Sequence, residues 1–431
     1  MSRYTFLLAQ AVITLLLFIN VEAYLVAFFL LLFLSLDLEQ NESWIVILIF
    51  SASLEAFSLF GFKIYDLTAL VVLLLYIRKG LSANTFIYFT TFIGILSFYA
   101  FISLQKGFGI TDLYGDYLRY FFCFIWFIAG YVAREGIPEK ARKLIMLLPW
   151  VMVIQGAGYL LSTKTGLSFG TSSFLVNSDL SGFREGEVRV AGLFTDPNKY
   201  YITWYFVLAI FLVLFKPFLG RKDIRSLLLV TLLISFISLS RTAILVSVAF
   251  SMIVLFIDTY HNIRYKAFIL IPGAVVALAV INMIDFNQLF FDFTYTLRGE
   301  RVSQFSGSLE AEKRFINWLL IFNDLSLSNL LIGNGLVNKD FWGENYLQPP
   351  HNTLLGMAYQ FGVVLSLLFL YFYIRLILPY KRLFIPIAFL TIMPMMVLDL
   401  FGFRLLWLFL AVLLIRTIDN HDNHFYKKFW T

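Results

Sequence analysis

Apolar runs long enough to cross a lipid bilayer recur through most of this sequence. A spanning helix needs about 20 mostly apolar residues, and a soluble core has no room for so many of them. Of the 431 residues, 60% are hydrophobic, 19% aromatic and only 14% charged, with a mean hydropathy of +0.82. The expected class is therefore all-α: a polytopic integral membrane protein, residues 1–431 forming a single membrane domain. About 14 transmembrane helices are predicted, near 5–20, 23–36, 44–60, 64–78, 84–104, 117–133, 144–162, 198–215, 226–239, 242–257, 267–283, 353–375, 384–398 and 403–416. The first is read as a retained helix, since no small-residue cleavage site follows it and another apolar run does.

Short basic loops predict the sidedness. Arg78–Lys79, the group Arg134, Lys140, Arg142 and Lys143, the group Lys216, Arg221, Lys222 and Arg225, the pair Arg264 and Lys266, and the group Arg375, Lys381 and Arg382 all fall on one side of this layout. The positive-inside rule makes that side the cytoplasm, with both termini there. A missed helix would break the agreement. The opposite face receives residues 163–197, the turn Ser238–Arg241 and the long stretch 284–352. That last loop is too long for a connector, and long loops are usually functional. Helix-like pieces within it, such as 309–320, are expected to lie on the membrane surface. The formal charge of +6 reflects the basic loops and is no argument for nucleic acid. Cys123 is the only cysteine, so no intrachain disulfide can form, and no Cys/His cluster suggests a metal.

Four constellations stand on the predicted outer face. Arg189-Val-Ala-Gly-Leu-Phe-Thr-Asp-Pro-Asn198 leads straight into an apolar run, with Arg184 in the same loop. Asp196, Pro197 and Asn198 also have the form of a capped helix start. Arg241, in Ser238-Leu-Ser-Arg-Thr-Ala-Ile-Leu245, lies in a connection too short to leave the membrane boundary. A charge costs about 2.5 to 3.5 kcal/mol at the bilayer centre and less near its edge. Topology gives no reason for it on that face; the alternative role is snorkelling to the headgroups. Arg298, Arg301 and Arg314 occupy the long loop, where Glu310 or Glu312 could pair with Arg314 one turn away, and Gly333-Asn-Gly335 reads as a turn. Finally, Pro350-His351-Asn352 ends the loop and opens a helix on which 351, 355, 358 and 362 share a face. Gly362 is expected to let another helix approach closely. His351 is one of four histidines, and the layout puts the other three on the cytoplasmic side. Its alternative role is to anchor a helix end.

Taken in order, Arg-x-x-Gly-x-Phe-x-x-Pro-Asn at 189–198, Ser-Arg-x-x-x-Leu at 240–245 and His-Asn-x-x-Leu running to Gly362 resemble the O-antigen polymerase and ligase superfamily. The likeness covers residues 180–365 and includes the long outer loop. Gln360 departs from the pattern, since many relatives carry glutamate there, and a packing or hydrogen-bonding role is expected of it. The resemblance implies a glycosyltransferase of the bacterial plasma membrane, its active site facing the extracytoplasmic side. The donor would be a polyprenyl-diphosphate-linked oligosaccharide and the acceptor a glycan. Polymerases extend lipid-linked repeat units into a surface polysaccharide such as O-antigen, capsule or exopolysaccharide; ligases pass the chain to lipid A core or protein. A flippase and a chain-length regulator of the same pathway are implied partners.

Residue chemistry agrees with that expectation. Arginine forks suit phosphate, so Arg189, Arg241 and Arg314 are candidates to neutralise a leaving diphosphate. Arg184, Arg298, Arg301, Asn198 and Asn352 are further substrate-binding candidates. An unperturbed histidine titrates near pH 6.5, so neutral His351 can act as the base that activates an acceptor hydroxyl. The expected reaction is inverting, with no metal and no cofactor. No Asp-x-Asp triplet occurs, which disfavours a metal-dependent nucleotide-sugar transferase. The rival from another class is a polysaccharide or lipid transporter or flippase, which would bury charges mid-helix and often repeat its halves.

Overall fold

The computed structural model describes residues 3–36, 43–59, 62–77, 83–132, 143–165, 193–194, 197–215, 221–238, 241–258, 317–321, 323, 327–337, 341–342, 350, 352–397 and 400–422. Almost all of them are helical. The main helices are α1 (Arg3–Leu15), α2 (Val21–Ser35), α3 (Ser43–Ser51), α4 (Ile64–Ile77), α5 (Ala83–Gln105), α6 (Ile110–Val132), α7 (Leu148–Thr165), α8 (Pro197–Phe215), α9 (Arg221–Ser238), α10 (Arg241–Asp258), α11 (Leu327–Ile332), α12 (Thr353–Ile377), α13 (Phe384–Val397) and α14 (Arg404–Asp422). A helix stands at every expected apolar segment except 267–283, which lies outside the described residues. Among the described residues, two helical stretches, Thr85–Gln105 and Thr353–Tyr380, are long and apolar enough to cross a bilayer by themselves.

Local chemistry sets several of the boundaries. Asn20 caps α2, its Oδ1 accepting from the Ala23 N–H at 2.8 Å, and Asn352 caps α12 by accepting from Leu355 N–H at 3.0 Å. α8 starts at Pro197, whose missing N–H costs nothing in a first turn. One expected segment, 44–60, is not a continuous helix. α3 tightens into a 3-10 turn at Ala52–Leu54, and the chain then forms a small antiparallel hairpin, β1 (Ser58–Leu59) pairing with β2 (Phe62–Lys63). The hairpin is the only sheet among the described residues, which are otherwise all-α as expected.

α8 is the central element. From Tyr200 to Phe211 every side chain is buried, as expected of a helix that is apolar all round. It packs against α9, α13 and α14. Its polar tips are satisfied sideways: Trp204 Nε1 donates to Thr231 Oγ1 at 2.9 Å, and Tyr205 Oη donates to the Ala243 carbonyl at 2.6 Å. Interhelical bonds of this kind contribute about 0.6 to 2 kcal/mol each. They also fix the register of α8 against α9, and the short connection between Phe215 and Arg221 makes these packed helices antiparallel neighbours. The start of α8 thus lies towards the 238–241 connection. On the other flank α6 and α14 pack along one another, with Gly130 giving room to Leu408. The outward faces are apolar too: Phe86, Ile87, Phe98 and Phe101 on α5, and Val364, Leu367, Leu368 and Phe372 on α12, are exposed.

α12 is broken. Gly362 has φ 82° and ψ 158°, far from helical values, in the middle of an otherwise regular helix. A helix stands at 353–375 as expected, but the face expected to join 351, 355, 358 and 362 ends at this break. What approaches Gly362 is the backbone at the end of α11 rather than another long helix.

Candidate functional site

The break leaves carbonyls at the end of the first half of α12 without helical partners. The segment after α11 supplies them. Asn334 N–H donates to Tyr359 O at 2.8 Å and Gly335 N–H to Gln360 O at 2.9 Å, while Tyr99 Oη donates to Phe361 O at 2.8 Å. This docking requires glycines. Gly333 and Gly335 both have positive φ, and a Cβ on Gly333 would stand 2.3 Å from Gln360 O. Gln360, buried, accepts from Tyr120 Oη through its Oε1 at 2.7 Å, so it serves here as a hydrogen-bonding partner. Lys106, just after α5, reaches Asn329 Oδ1 at 2.9 Å and also contacts Asn334 Oδ1. Burial pulls the Lys106 amine below the ordinary lysine value.

The break also redirects the chain that precedes it. Thr353 Oγ1 accepts from Leu400 N–H at 2.9 Å, and the Phe369 ring lies 5.5 Å from Phe401. A straight helix would hold residues 353 and 369 about 24 Å apart. Contact of both with the same turn means that the first half of α12 folds back over residues 400–401. Asn352 adds a bond from its Nδ2 to Met396 O at 3.3 Å, and the Pro350 carbonyl accepts from Trp318 Nε1. Of the two neighbours of position 351, Asn352 is therefore anchored at the end of α13 and Pro350 at Trp318.

A row of ionic groups runs from that connection across the bundle. Arg404 grips Asp66 with Nε at 3.0 Å and Nη2 at 2.9 Å, and Trp126 Nε1 donates to the same carboxylate at 3.2 Å. Its Nη1 donates to Gly402 O at 2.9 Å, and its guanidinium lies over Tyr65. Nearby, Lys63 and Lys199 converge on Glu55, at 3.7 and 2.9 Å from its Oε1. Lys63 also donates to the Glu55 carbonyl at 2.9 Å. Burial lowers the Lys63 amine from its ordinary value, Glu55 opposes that, and Lys199 lowers it further. The hairpin that carries Lys63 is tied to the segment before α8, since Ala56 N–H donates to Leu193 O at 2.9 Å. Leu193 follows Arg189 by one turn's length of sequence and belongs to the first motif.

Among the nine residues expected to form the site, the structure places three. Asn198 stands half-buried in the first turn of α8, Asn352 caps α12, and Arg241 begins α10, where only its backbone is described. Arg184, Arg189, Arg298, Arg301, Arg314 and His351 lie outside the described residues. Of the expected surface helix, residues 317–320 are helical and the rest lies outside them as well. The sequence reading missed Glu55, Lys63, Asp66, Lys106, Lys199 and Arg404. The signal that drew attention to Arg241 applies to each cation among them: a charge at the end of an apolar run, on the face where the expected topology gives it no role. No family model, no curated protein and no solved structure matches the chain.

Proposed function

We propose that this protein is a polytopic membrane glycosyltransferase that polymerises polyprenyl-diphosphate-linked repeat units outside the bacterial plasma membrane. Its helices would cross the membrane in the layout of about 14 spans that the basic loops predict. In the reaction, neutral His351 takes the proton from an acceptor hydroxyl. The freed oxygen attacks the anomeric carbon, the bond to the diphosphate oxygen breaks, and the configuration inverts. Arg189, Arg241 and Arg314 neutralise the departing diphosphate, so that it leaves without protonation. Transfer to lipid A core or protein would use the same chemistry with another acceptor.

The observation that carries this reading is the fold-back at Gly362. It anchors Asn352 and Thr353 against residues 396–400, close to the turn that the arginine of α14 holds through Gly402, while Trp318 fixes Pro350. Tethering of Leu193 to the Glu55–Lys63 hairpin adds support, because it draws the first motif towards the same ionic row.

Reconstituted full-length protein given lipid-linked repeat units should extend them, and should still do so in excess EDTA. His351→Ala should abolish extension while elution and thermal unfolding stay as in the wild type. Near wild-type extension by that variant removes His351 as the base. The broken helix also favours a second reading, because carriers build their binding sites at interrupted helices. In that case the same vesicles would move lipid-linked glycan between leaflets with no change in its length.

A further inference from the structure

The ionic row ends on a cation that the proposed chemistry has not used. Arg119, on α6, lies against Gly402: a Cβ there would stand 2.0 Å from Arg119 Nε and 2.4 Å from its Cζ. Arg404 approaches the same glycine through its carbonyl. Two guanidinium groups from different helices thus meet at one residue without a side chain. Their situations differ. Arg404 is held by both oxygens of Asp66 and its side chain is only 15% exposed. Arg119 is 37% exposed, with Asp116 4.0 Å from its Nη1.

The surroundings narrow the ligand. Gly402 belongs to the turn whose Leu400 N–H is bound by Thr353, two residues from position 351. Tyr120, beneath the Arg119 guanidinium, is bonded to Gln360 beside the helix break. On the other side, Tyr117 meets Ser97 of α5, whose neighbours Phe98 and Phe101 are exposed. An anion on Arg119 therefore has an apolar helix face close by and, at Gly402, the turn that Thr353 bonds. Resting on the function proposed above, we infer that Arg119 binds the diphosphate of the lipid-linked donor, with Gly402 keeping that approach open and Arg404 holding the turn in place.

Full-length protein in phosphatidylcholine nanodiscs, with a labelled polyprenyl diphosphate as the probe, tests this directly. Arg119→Gln should weaken binding about tenfold to a hundredfold, and Arg119→Lys should restore part of it. Gly402→Ala keeps every charge and pushes the flexible guanidinium aside, so it should also weaken binding. It carries the test if the first variant does not fold. Arg375→Gln, at the far end of α12, should change nothing. Wild-type binding that survives both Arg119→Gln and Gly402→Ala overturns the inference and leaves the proposed function standing. Displacement of the probe by phosphatidylglycerol as readily as by unlabelled diphosphate also overturns it, since the site would then be a general headgroup site. Wild-type protein that binds no probe removes the donor assignment altogether, and this inference with it.

Discussion

Gly362→Ala should be among the most damaging small substitutions in the chain, and the structure says why. With φ at 82° and ψ at 158°, the residue occupies a region essentially reserved for glycine. Conformational strain alone costs about 1 to 3 kcal/mol. The added Cβ would also stand 2.2 Å from Leu331 O and 2.7 Å from Leu331 C, both backbone atoms that cannot rotate away. Relief requires the 331–335 segment to retreat. That would break the bonds from Asn334 and Gly335 to the carbonyls of residues 359 and 360, at about 1 kcal/mol each in net terms and more if the groups stay dry. The expected loss is about 3 to 5 kcal/mol. Denaturant unfolding in mixed micelles measures it, and amide hydrogen exchange at residues 334 and 335 should rise in parallel. Gly94→Ala is the control: nothing lies within 4 Å of its new Cβ, and the helical propensity of alanine should leave stability unchanged or slightly improved. If the two variants unfold alike and protect residues 334 and 335 equally, the break does not depend on glycine and the docking account fails.

Asp66→Ala should cost about 3 to 5 kcal/mol, because it strands a largely buried Arg404 without its carboxylate; combining it with Arg404→Met should recover part of the loss, and strictly additive unfolding energies would contradict the pairing. Lys106→Met should leave the acceptors at Asn329 and Asn334 short of a donor and cost about 1 to 3 kcal/mol, with faster exchange confined to residues around 333–335; exchange unchanged there would show that Lys106 does not hold the segment. Arg241→Ala should lower the rate of glycan extension about 100-fold by the precedent of losing one preorganised donor, and lysine should restore it only partly. Full recovery with lysine would mean that Arg241 merely snorkels.

Much of the helical layout was legible, and the reason is local. Apolar length reveals a helix, and Asn352 and Pro197 announce helix starts by chemistry acting within a few residues. The two glycines around Asn334 announced a turn for the same reason. Gly362 was legible only as a place of close approach. Isolated in a long apolar run, a glycine is compatible with a continuous helix, and what breaks it here is a segment about one helix length upstream. The ionic row was hidden more thoroughly. Asp66 and Arg404 are separated by 338 positions, and Lys199 and Glu55 by 144. Each stands at the edge of an apolar run, where a lone charge reads as a solvated boundary. Periodicity carries no information about such partners.

The break and the α11 segment depend on each other. A carbonyl freed inside an apolar bundle needs a donor, since an unsatisfied polar group there costs several kcal/mol. The docked segment supplies two N–H groups, and Tyr99 supplies a hydroxyl. In return, the break gives that segment acceptors it would lack against an intact helix. Neither conformation is stable alone, so the two form as a unit. That unit decides where Thr353 and Asn352 lie, and through them the approach to position 351. The residues that set the geometry of this segment are then Gly333, Gly335 and Gly362, which carry no chemistry of their own. Sequence motifs centred on charged and polar side chains pass over such residues, although the Asn352 cap and the Thr353 contact with Leu400 depend on them for their position.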